Sequence, residues 1–107
     1  MPFIYFSQGV ASQYKDFTER LMSHLALKGT EITGQVLAVE EEVDMAKSEG
    51  TNTTKAKGRI DRADALYKEA QASFEKKEYG TIRPKITAAE NMVQKAREAL
   101  SEAQNAG

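Results

Sequence analysis

At 107 residues, with 40% hydrophobic and 29% charged side chains, the chain is sized and composed for one folded domain with a modest core. Seven Gly and two Pro are too few for a disordered or loop-built protein, and a net charge of −1 argues against a chain that binds nucleic acid with its whole surface. Zero Cys excludes disulfides, thiol catalysis and thiolate metal sites. It leaves the compartment open, cytoplasmic or on the extracytoplasmic side of a membrane. With no Trp and four each of Phe and Tyr, the core must be mostly aliphatic and alanine.

The chain opens on its most apolar stretch, Phe3, Ile4, Tyr5 and Phe6. This is far short of the roughly 20 apolar residues a spanning helix needs. No basic region precedes it as in a signal peptide. It reads as an N-terminal strand or turn that caps the fold, or as the stub of a membrane anchor.

An apolar stripe in steps of three and four then runs almost to the C-terminus, the signature of helices that face other helices. The first predicted helix begins between Ser7 and Ser12 and ends near Lys28. Val10, Tyr14, Phe17, Leu21 and Leu25 form its stripe, broadened by Met22 and Leu27. Lys28 followed by Gly29 is a C-terminal signal, and Thr30 followed by Glu31 is an N-terminal one. A second helix is therefore expected over 31–48, with Ile32, Val36, Val39, Val43 and Ala46 inside and Gly34 tolerated at about 1 kcal/mol. The rival is one unbroken helix, because Leu25, Lys28, Ile32 and Val36 never leave phase. Such a helix would project past the C-terminal hairpin and leave an apolar stripe in need of a partner.

Residues 50–54, Gly-Thr-Asn-Thr-Thr, are the clearest loop. The next helix is expected from Lys55 or Arg59 to Lys77, with Leu66, Ala70 and Phe74 inward. A turn over 78–81 leads to a last helix over 81–103, with Pro84 in its first turn and Ile82, Ile86, Val93 and Leu100 inward. Ala88, Ala89, Ala96, Ala99 and Ala103 let neighbours approach this helix closely. The sum is all-α: one antiparallel helical-bundle domain over 1–107, expected as four helices up-down-up-down, with three helices, the first of them long, as the alternative. Within it, Ala70, Phe74, Tyr79 and Ala89 fall where a tetratricopeptide repeat places its small, large and turn residues, so 65–79 resembles the first helix and turn of that family. The pattern departs at Ile82 and Gln94, and no second copy follows at 34 residues. The stretch is read as a generic αα-hairpin.

Chemistry-bearing constellations are sparse. His24 is the lone histidine and has no Glu-x-x-His pairing, so no metal site is expected. The run Glu40, Glu41, Glu42, Asp44 fans around a helix and reads as a solvated face. Lys55, Lys57, Arg59 and Arg62 place positive charge at a helix N-terminus, against the dipole. They are the candidate contacts for an anion, a phosphate or a partner. No aromatics interleave them to stack bases, so nucleic acid is a third-rank partner. Asn52, followed by Thr53 and Thr54, matches the N-glycosylation acceptor.

Charge divides along the chain. Residues 1–50 carry four basic against eight acidic side chains, net −4; residues 51–107 carry eleven against eight, net +3. The halves should attract when folded together or against a second copy. The chain offers no nucleophile–base pair, and no enzyme activity, cofactor or small-molecule substrate is expected. The leading functional expectation is a structural or protein-interaction bundle that binds another protein or itself. The alternative is the extracytoplasmic domain of a membrane-anchored protein, and the third is a nucleic-acid or phosphate module using the basic set.

Overall fold

The computed structural model describes the backbone of residues 2–106 and the side chains of residues 13–106. The expected packing of Val10 lies outside the described side chains, whereas the strand or turn expected at 3–6 is corrected, because the backbone there already belongs to α1. Three α-helices follow in order: α1 over Pro2–Ser48, α2 over Thr54–Glu75 and α3 over Ile82–Ala106, with a single 3₁₀ turn over Tyr79–Thr81 before α3. The described chain is all-helical. The four-helix expectation is corrected, and its three-helix rival is the arrangement observed.

The correction turns on residues 28–31, where every apparent boundary signal has another use. Gly29 is buried, and a Cβ there would run into the Tyr67 ring and hydroxyl of α2. That hydroxyl donates to the Leu25 carbonyl at 3.3 Å. Gly29 is thus a notch that admits an aromatic ring. Thr30 caps nothing: its hydroxyl donates back to the Ala26 carbonyl at 3.2 Å, one turn earlier on the helix. Lys28 pairs with Glu31 at 3.5 Å and with Glu90 of α3 at 3.1 Å, tying α1 to α3 where a turn was expected.

Real ends form elsewhere. Gly50, at φ +89°, follows the last turn of α1. Its N–H donates to Lys47 O at 3.0 Å, and the Thr51 N–H donates to Ala46 O at 2.9 Å. This is a Schellman closure with Gly in the left-handed position. The end of α2 repeats the closure without a glycine. Lys77 sits at φ +63°, its N–H donates to Phe74 O at 3.1 Å, and Glu78 N–H donates to Ser73 O at 2.8 Å.

Helices α2 and α3 form the closest pair. Arg59 Nη1 donates to the Lys95 carbonyl at 3.2 Å and Lys85 Nζ to Ser73 Oγ at 2.8 Å, which fixes the hairpin register. In that register Ala56, Ala63 and Ala70 lie level with Leu100, Val93 and Ile86. Ala96 and Ala89 lie level with Ile60 and Tyr67. Large thus meets small at each step, so two backbones approach without a gap. The buried face of α1 seals this pair through Leu21, Leu25, Ile32, Val36, Val39, Val43 and Ala46.

The molecule measures 73 × 18 × 17 Å. At 1.5 Å per residue, 47 residues of α1 span about 70 Å, whereas α2 and α3 span only about 33 and 38 Å. One long helix therefore carries a hairpin on roughly half its length.

Candidate interaction surfaces

The hairpin tip meets α1 through an aromatic cluster. Tyr79 takes edge-on contacts from Tyr14, Phe17 and Phe74, with ring centroids 6.1, 6.0 and 5.6 Å apart. Tyr14 Oη and Tyr79 Oη lie 3.2 Å apart in a hydrogen bond. That bond is the main reason the Tyr79 phenol is held above its ordinary value, with burial adding to it. Tyr14 and Phe17, expected inward, remain 51% and 48% exposed. They lie on the line of the core stripe, at the level where the hairpin ends. The ring of Tyr79 packs against both.

A second surface was not expected. Met22 and Leu27, read as widening the core stripe, point outward at 56% and 60% exposure, as does Leu37 at 55%. Thr30 and Gly34 are exposed beside them, and a Cβ on Gly34 would meet open space. The signal was present in the sequence, because Leu27 and Leu37 fall two residues after Leu25 and two before Val39. Two residues is more than half a helical turn, hence the opposite face.

The basic set is divided. Lys57 faces part of the acidic run, Glu40 and Asp44 of α1, across a recess that the three line together. Lys55, Arg59 and Arg62, at spacings of four and three, share the other side of α2. Arg59 is engaged by the Lys95 carbonyl, and Arg62 stands 3.8 Å from Glu69. Lys55 borders an open groove of about 700 Å³ between the 49–53 loop and the Ala99, Ala103, Ala106 ridge of α3, with Glu102 opposite. The four cations do not converge on one point.

Asn52 is exposed on that loop, and its Oδ1 accepts the Thr54 N–H at 3.1 Å, shaping the start of α2. His24 is half-buried on α1. Among the described residues, no three His, Asp or Glu side chains gather as metal ligands. No described helix is long and apolar enough to cross a membrane. Lys28 and Lys68 are both held above the ordinary lysine value, Lys28 chiefly by its hydrogen bond to Glu90 and Lys68 chiefly by that to Asp64.

No protein-family model, curated protein or solved structure matches this chain.

Proposed function

We infer that the chain is a non-catalytic interaction module, whose long helix offers its uncovered end to a helix of another protein or of a second copy. The observation that carries this is the mismatch in length between α1 and its hairpin. The stripe that packs against α2 and α3 continues N-terminally through Phe17 and Tyr14, where both covering helices have ended. Half-exposed aromatics at the centre of such a stripe favour a partner that takes the place of the missing helices. The partner expected there is amphipathic and helical, docking by its own apolar face.

A photo-crosslinking residue at Tyr14 or Phe17 tests this in the cell of origin. A discrete cross-linked species at both positions, absent when the same group replaces exposed Lys76, is the expected result. Equal, diffuse labelling at all three positions would count against it.

A further inference from the structure

We propose that α1 carries a second heptad seam on its outward face, and that its partner is a second copy of this chain, packed antiparallel about the level of Ile32. The proposal rests on the interaction reading above but uses a different surface. The central positions are Leu27, Thr30, Gly34 and Leu37, in steps of three and four, and all are exposed. Each lies two residues before a core position of α1, namely Gly29, Ile32, Val36 and Val39. It therefore points away from the hairpin.

This face lacks charge where a solvated helix would carry it. Between Arg20 and Glu40 the only charged side chains are Lys28 and Glu31, and both are turned to the flank where Lys28 reaches Glu90 of α3.

The seam is symmetric about Ile32, and that identifies the occupant. Leu27 and Leu37 are equidistant from Ile32, as are Thr30 and Gly34. In an antiparallel pair Leu27 meets the partner's Leu37, and Thr30 meets the partner's Gly34. Small central layers let the backbones close while leucines pack on either side. The seam continues outward through Ser23 and Glu41 to Arg20 and Asp44, again equidistant. Arg20 thus meets the partner's Asp44, twice per dimer. The like charges are kept apart, since Asp16 falls level with Ser48 and Glu19 with Met45. A parallel pair in register would instead stack Arg20 on Arg20, Glu41 on Glu41 and Asp44 on Asp44.

Over residues 20–44 the seam is about 37 Å long and roughly 10 Å wide. It buries on the order of 400 Å² per copy, about 800 Å² in total, which is below the range of stable interfaces and within that of weak, transient ones. The dimer is accordingly expected to be reversible.

Sedimentation equilibrium of the full chain between about 10 µM and 1 mM tests this, a range suited to an interface of that size. The expected mass rises from one to two chains. Leu27→Lys and Leu37→Lys, at exposed positions, should each hold the mass at one chain with unchanged helical circular dichroism. Arg20→Asp should weaken association at least fivefold, and adding Asp44→Arg should restore it. Because the chain has no Cys, a Leu27→Cys variant mixed with a Leu37→Cys variant reports orientation, and disulfide formation between the two variants should dominate. A monomer at every concentration would overturn the proposal and leave the Tyr14 and Phe17 reading standing. A dimer indifferent to Leu27→Lys would overturn this surface, and dissociation of that dimer by Tyr14→Glu would assign it to the helix end. Predominant linkage within one variant would overturn the antiparallel arrangement.

Discussion

Gly29 and Lys77 show how far one residue's role depends on what stands beside it. At Gly29 the sequence carried a stop signal, and what it lacked was Tyr67, thirty-eight residues away and packed into the notch. Gly29→Ala gains helix propensity of about 1 kcal/mol but displaces that ring and its bond to Leu25. Overpacking of this kind costs about 1–3 kcal/mol, so the net expectation is a loss in thermal unfolding. Gly58→Ala, in open space on α2, should gain close to the full 1 kcal/mol in the same assay. Lys77 is the converse case: a side chain in the left-handed position that glycine takes after α1. Lys77→Gly should stabilise by about 1 kcal/mol, visible as a melting temperature several degrees higher. Titration adds a sign. Lys28 is held above its ordinary 10.5 by Glu90 first and Glu31 second. Its contribution is therefore fully present below that pH and is lost as pH rises through the raised value. Glu90→Gln should shift the Lys28 titration back towards 10.5, as read by NMR of its side chain.

At the scale of elements, much of the helical pattern was legible in advance. The stripe Ile82, Ile86, Ala89, Val93, Ala96, Leu100 identified α3 and its buried face, and the 50–54 run located the loop within a residue or two. Periodicity works there because each helix buries one narrow face against two others. The capping signals failed at 28–31, where they disagreed with phase and phase prevailed. Local signals worth about 1 kcal/mol each yielded to an uninterrupted run of core contacts from Leu21 to Ala46. Of the candidate contact residues, the sequence supplied the identities of Lys55, Lys57, Arg59 and Arg62 but not their separation. Lys57 and its neighbours fall on different sides of α2. The outward face is hard to read from sequence because Leu27 stands two residues from Leu25 and passes for a widening of the core stripe. The aromatic tip yields a prediction of its own. Tyr79→Ala removes three edge-on contacts, worth about 0.5–1.5 kcal/mol each. Amide exchange should quicken in α1 over residues 13–20 while protection from Ile32 to Ala46 is retained; uniform loss of protection would show that the tip holds the whole bundle.

The whole molecule is a rod about 70 Å long, set by one helix, and the two surfaces proposed for interaction follow from that shape. If α1 broke at Gly29, its two halves would lie side by side. The Tyr14–Phe17 end would then be covered, and the seam from Arg20 to Asp44 would be cut in two. Continuity of α1 is thus the claim on which the rest depends. Spin labels at Lys15 and Lys47, both exposed, measure it directly by pulsed electron resonance after substitution with Cys in a chain that has none. The Leu27→Lys background keeps the reading within one copy. Thirty-two residues of unbroken helix predict a separation of about 48 Å; a distance below about 25 Å would mean that the chain turns back near Gly29, and would contradict the account.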